Sequence, residues 1–191
     1  MSNMDFKKYY YLEQYLFNEV GPAFRKTGQL TDKDFLCILI WKSNRSKTKN
    51  FKKLMKTTDS KIRGRASQLA KDIHNQPTSR EKLYVLIKDW KFRLPTASAI
   101  LTVLYPDDFT IYDARVCSVI NRFYGLADKS FDCLWAEYEK FIKCVNKASQ
   151  EKSLRDKDRY LWGKSFYKDL ERTLARFRGR TKRLDEKVWI S

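Results

Sequence analysis

Apolar residues in this chain recur every three or four positions, and nowhere do they alternate with polar ones for long enough to build a sheet. That pattern restricts the fold to all-α. Phe6, Tyr9, Tyr10, Leu12, Tyr15, Leu16 and Val20 mark a first helix over 5–20, ended by Gly21 and Pro22. Thr31 caps a second, DKDFLCILIWKSN, whose continuous apolar centre implies burial on most sides and which leaves the core at Trp41, Lys42, Ser43, Asn44 and Arg45. Thr58 or Ser60 can cap a helix through Ile62, Ala66, Leu69 and Ile73, with the lone His74 at its end, where a dipole or hydrogen-bond role is the usual one. Thr78, Ser79, Arg80 and Glu81 form a capping box ahead of REKLYVLIKDW. Ser130 caps a helix running to Val145, and a last helix spans 154–177 before a basic tail, 179–191. With only 6 Gly and 4 Pro the connections should be short, and 191 residues fit one compact multi-helix domain, which a cleft can divide into two lobes.

Lys and Arg number 40 against 23 Asp and Glu, a formal charge of +17. A surface of that sign attracts phosphate without regard to sequence, so nucleic acid is the leading partner. No polybasic run abuts a long apolar segment, which argues against a membrane surface. The stretch RSKTKNFKKLMK either tracks phosphates or is a solvated helix face. Cys37, Cys117, Cys133 and Cys144 fall inside apolar helical patterns with no Cys-x-x-Cys and read as buried free thiols, so neither a metal nor a cofactor is implied. The N-terminus has no uncharged core of signal-peptide type, which suggests a soluble, cytoplasmic protein, and a monomer is expected.

The residues that carry chemistry lie in 90–125, WKFRLPTASAILTVLYPDDFTIYDARVCSVINRFYG. Pro95 opens a helix whose first turn, Thr96, Ala97, Ser98 and Ala99, has almost no bulk; this permits either close approach of a phosphate to the helix N-terminus or tight packing on another helix. Tyr105-Pro106-Asp107-Asp108-Phe109 makes a turn, and Thr110, Ile111 and Tyr112 lead to Asp113 at the mouth of a second helix. On local rules alone Asp113 is an N-cap.

These two helices resemble the helix-hairpin-helix (HhH-GPD) DNA glycosylases, the superfamily of endonuclease III, the adenine-mismatch glycosylases and the alkyladenine glycosylases. The family pattern is a Leu-Pro-Gly-Val-Gly hairpin, a Thr-Ala small-residue helix, a loop, and an aspartate opening the next helix. Thr96 to Leu101 is similar to the first helix, and Tyr112-Asp113-Ala114-Arg115-Val116 with Asn121-Arg122 to the second. The resemblance implies that double-stranded DNA is bound, a damaged, mismatched or modified base is flipped out, and Asp113 stabilises the cationic sugar while its N-glycosidic bond is hydrolysed. The lysine that gives bifunctional members lyase activity stands eighteen residues before the aspartate; here 113 − 95 = 18 falls on Pro95, so a monofunctional enzyme is implied.

By the same resemblance Trp41, Ser43, Asn44, Arg45 and Tyr112 would line the base pocket or wedge the gap in the stack, and Lys42, Lys91, Arg93, Thr96, Ser98 and Arg115 would contact DNA. Trp162, Lys164 and Tyr167 stand in a segment, RDKDRYLWGKSF, that is open to contact with DNA or the pocket, and packing is the expected job for Trp162. Where the family hairpin has Gly-Val-Gly this chain has Lys91-Phe92-Arg93, so the hairpin must be modified and would grip phosphate with side chains. A repair role and a defence role against modified phage DNA both fit. A non-catalytic DNA-binding protein on the same scaffold is the alternative reading, and an RNA-binding one a third.

Overall fold

The computed structural model describes residues 6–55 and 64–188, and the side chains of these apart from 55 and 178–188. Among the described residues it is all-helical, with no strand. The Thr58 and Ser60 caps and the 189–191 end fall outside the described residues.

The first helical stretch does not stop at Gly21. It runs as α1 (Lys7–Tyr10), α2 (Leu12–Tyr15), a π-helical turn over Leu16–Val20 and α3 (Gly21–Thr27). The Gly21 N–H reaches back to the Leu16 carbonyl, and this wider turn accommodates Pro22, whose ring would clash with a regular helical carbonyl. Gly21 serves instead as a crossing point: a Cβ there would lie 2.4 Å from the Val103 carbonyl oxygen. The true end is Gly28, at φ +66, against the His74 ring, which also meets Phe24 edge-on at 5.7 Å.

Thr31 caps α4 (Asp32–Ser43) as the local signal requires, its Oγ1 accepting from the Asp34 N–H at 3.1 Å. A short 3₁₀ turn, Asn44–Ser46, leads to α5 (Lys47–Met55). The next helix, α6 (Arg65–His74), borrows its cap from α4: the Asp32 carboxylate accepts from the Ala66 N–H at 3.0 Å. The Thr78–Glu81 capping box opens α7 (Ser79–Tyr84), which passes into a second π-turn, Val85–Asp89.

The buried centre is α8 (Leu94–Leu104), which begins one residue before Pro95 and buries Leu94 and every side chain from Ala97 to Leu104. It is flanked by α3, α4, α7 and both π-turns. The small residues of its first turn are therefore used inside the protein, where they let other helices approach closely. After α8 come α9 (Ala114–Ile120), a 3₁₀ turn at Leu126–Asp128, α10 (Phe131–Lys147) and α11 (Leu154–Val188). Ser130 stands at the N-cap of α10 but makes no side-chain capping bond. The inward stripe of α10 is Phe131, Leu134, Tyr138, Phe141 and Val145; Cys133 faces out and Cys144 is half-buried, unlike the buried Cys37 and Cys117.

The last helix does not stop at 177. No proline interrupts it, and a glycine at 179 costs a helix only about 1 kcal/mol, less than its Arg, Lys, Leu and Glu neighbours need to carry it on. No helix among the described residues is long and apolar enough to cross a membrane.

Candidate functional site

Asp113 is delivered by a strap, residues 110–112, that is pinned on three sides. The Tyr138 hydroxyl, fully buried, donates to the Thr110 carbonyl at 2.5 Å; the Ser98 Oγ accepts from the Tyr112 N–H at 3.0 Å; the Tyr112 hydroxyl donates to the Phe123 carbonyl at 2.7 Å. This corrects two expectations. Ser98 is too buried to reach DNA, and Tyr112 lies in the core against Phe141 instead of lining a pocket. Both hold the backbone that aims Asp113.

Asp113 is the N-cap of α9, as local rules require, with its Oδ1 accepting from the Arg115 N–H at 2.9 Å. Its other oxygen does more: Lys42 Nζ, from the last turn of α4, donates to Oδ2 at 2.7 Å. Burial pushes the carboxyl up, but the Lys42 ammonium and the Arg115 amide outweigh it and hold Asp113 below its ordinary value, so it is ionised at neutral pH. Lys42, expected on DNA, is thus the partner of Asp113.

The pair faces a cavity of about 310 Å³, lined also by Glu13, Trp41, Ile111, Arg155, Asp158, Arg159 and Trp162. That volume suits a small planar ligand, near the lower end for binding pockets. Trp41 forms one part of the wall, edge-on to Phe17 at 5.5 Å, with the Arg155 guanidinium 5.1 Å from its ring. Trp162 forms another; it is 43% exposed, stacks on Phe166 at 5.5 Å and lies under the Arg115 guanidinium at 5.3 Å. Trp162 is therefore pocket wall and not core, a correction to the packing role expected for it. Arg115 is also committed to Asp169, at 2.5 Å.

The floor is ionic. Arg155 Nη2 donates to Glu13 Oε1 at 2.7 Å and Nη1 to Asp158 Oδ2, while Arg159 reaches Glu13 at 2.9 Å. The Arg155 Nε is buried without a hydrogen-bond partner in the described residues. Glu13 is pushed up by burial but held below its usual value by the two arginines. Asp158 goes the other way: burial, only partly opposed by Arg155 and Lys42, raises its carboxyl to about 6. Two carboxylates on one cavity are thus pushed in opposite directions, and Asp158 takes up its proton at the higher pH.

Comparison with known protein families, curated proteins and solved structures yields no match. The site therefore stands on its own geometry.

Ser43, Asn44 and Arg45 leave α4 on the 3₁₀ turn, outside the cavity wall; Asn44 and Arg45 are exposed, and Lys47 Nζ donates to Asn44 Oδ1 at 2.5 Å. The segment 90–93, expected as a modified hairpin, is a turn in which Lys91 adopts φ +58, the conformation a glycine would favour, and its carbonyl accepts from Lys53 Nζ at 2.7 Å. Arg93 is exposed and paired with Asp128 at 3.0 Å, and Thr96 is half-buried beside Asn50. Lys53 joins α5 to this turn and feels the charges of Lys49 and Arg93, so Lys49, Lys53, Lys91 and Arg93 share one basic edge. The sequence reading missed Glu13, Arg155, Asp158 and Arg159. One signal was there: Leu154, Asp158, Leu161 and Ser165 share the inward stripe of α11, and an aspartate on such a stripe is out of place unless it works. No group of residues suited to a metal occurs among the described ones.

Proposed function

We propose that this protein is a monofunctional DNA glycosylase: it takes a damaged, mismatched or modified base out of the duplex and hydrolyses its N-glycosidic bond with Asp113. The observation that carries the reading is an ionised aspartate on the wall of a cavity flanked by Trp41 and Trp162. Loss of a base leaves positive charge on the sugar. A carboxylate fixed beside that carbon stabilises the charge and orients or deprotonates the attacking water. Lys42 keeps Asp113 anionic, and the buried strap keeps it from turning away. The two tryptophans of the wall supply aromatic surface for an unstacked base. The basic edge of α5 and the 90–93 turn supplies phosphate contacts. A protein that only bound DNA would have no use for a cavity of this kind, which favours the enzymatic reading over the non-catalytic one.

The test is a panel of duplexes, each with one damaged, mismatched or modified base, incubated with the protein and then cleaved with alkali at any abasic site. At least one duplex is expected to yield cleavage that Asp113→Asn lowers by at least about a hundredfold, the scale of losing a positioned acid-base group. Undiminished base release by that variant removes Asp113 from its role.

A further inference from the structure

Besides Asp113 and the arginine-held Glu13, the cavity holds a third carboxylate, for which hydrolysis by Asp113 alone has no use. Asp158 is only 2% exposed, yet it is a wall residue of the same cavity. Arg155 holds its Oδ2, and the Arg155 Nε beside it is buried without a hydrogen-bond partner among the described residues. We propose that Asp158 is the general acid of the site, and that the substrate base is accordingly neutral and carries a basic ring nitrogen, as purines and cytosine-type pyrimidines do.

The proposal rests on the glycosylase reading, and the chemistry balances. Asp158 gives its proton to the ring nitrogen as the C1′–N bond breaks and its electron pair passes to the base. Asp113, opposite in charge, faces the sugar cation. Water then adds its oxygen to C1′ and loses a proton to Asp113 or solvent, and solvent returns a proton to Asp158. The division of labour follows from the surroundings. Asp113 is bound by the Lys42 ammonium, whereas Asp158 is deep in the wall and its carboxyl sits at about 6, so a useful fraction is protonated near neutral pH. The charged and titratable groups around it are Arg155 and Arg159 on its own helix, Glu13 from α2, Lys42 from α4, Asp113 at the mouth of α9 and Tyr138 from α10. With Tyr138 neutral and Asp158 ionised, the three cations Arg155, Arg159 and Lys42 offset the three carboxylates Glu13, Asp113 and Asp158. Protonating Asp158 leaves one positive charge over, which a departing base takes away as the proton.

A base already cationic, such as 7-methylguanine, leaves without a proton and does not need the acid. A uracil-type base, which leaves as an anion, gains little from it. The experiment compares wild type and Asp158→Asn on duplexes containing hypoxanthine, mismatched adenine, hydroxymethylcytosine, uracil or 7-methylguanine, from about pH 5 to pH 8. Wild type should release a neutral purine or cytosine-type base at a rate falling as pH rises through about 6. Asp158→Asn should lower that rate about 10²–10⁴-fold and abolish the pH dependence, while a cooperative thermal melt followed by circular dichroism shows that the variant folds. A flat wild-type profile overturns the proposal, and needs no variant. So does an Asp158→Asn protein that keeps the profile, or a wild type that excises only uracil or 7-methylguanine. No release from any duplex refutes the glycosylase reading itself, and the proposal with it.

Discussion

Replacing Lys42 by Met keeps the length of the side chain and removes its charge, leaving Asp113 without its cation. The Lys42 and Asp113 side chains are 16% and 25% exposed. Removing one partner of a fully buried pair costs about 3–5 kcal/mol, and exposed pairs contribute about 1 kcal/mol or less. A mostly covered pair that keeps some solvent falls between, at about 2 kcal/mol. For a chain of this length that is a melting temperature lower by about 4–8 °C at pH 7. The pH dependence is the sharper part. Because the folded Asp113 carboxyl sits below its ordinary value, its contribution is complete above the unfolded value, about 4, and is lost as pH falls through the folded one. The gap between wild type and Lys42→Met should therefore close as pH drops from about 4 towards 2. At the lower end the unpaired ion is Lys42 itself. Thermal melts followed by circular dichroism, at a series of pH values, measure both quantities. A gap that stays constant with pH, or no loss at neutrality, would refute the argument that Lys42 is there to hold a charged Asp113.

Two further substitutions test the frame that carries the site. Lys91→Gly should raise stability by about 1 kcal/mol in denaturant melts, because a side chain held at φ +58 is strained where glycine is not. Gly21→Ala should lower it by about 1–3 kcal/mol, since the added carbon meets the Val103 carbonyl at 2.4 Å and two helices would have to separate; equal melting curves would show that the crossing has slack.

Features set by neighbours in sequence were legible in advance. The Thr31 cap, the Thr78–Glu81 capping box and Asp113 as an N-cap each follow from residues within one helical turn of each other. What was hidden depends on distant parts of the chain. Ser98 looked like a small residue open to phosphate because its bond to the Tyr112 amide, fourteen residues on, exists only after α8 is enclosed. Lys42 looked like one more surface cation because its partner is 71 positions away. Glu13 and Arg155 are 142 apart, and neither is distinctive where it stands. Asp158 was nearer to visible, as an acid on an apolar stripe, but only the cavity wall gives it a use. The helix ends misjudged at Gly21 and 177 have a common cause: a glycine was read as a stop, whereas packing at one and strong helix formers at the other carry the helix through.

The first π-turn also says where the chain can change length. A π-turn inside a helix holds one residue more than the helix it interrupts, and the helical phase on either side is kept. Deleting a single codon within Leu16–Val20 would leave an ordinary helix with both flanks, α2 and α3, still facing the core. The same deletion inside α8 or α10 would turn everything beyond it by about 100° and carry the Asp113 strap out of line. Insertions and deletions fixed in descendants of this gene should therefore collect at Leu16–Val20 and spare α8 and α10.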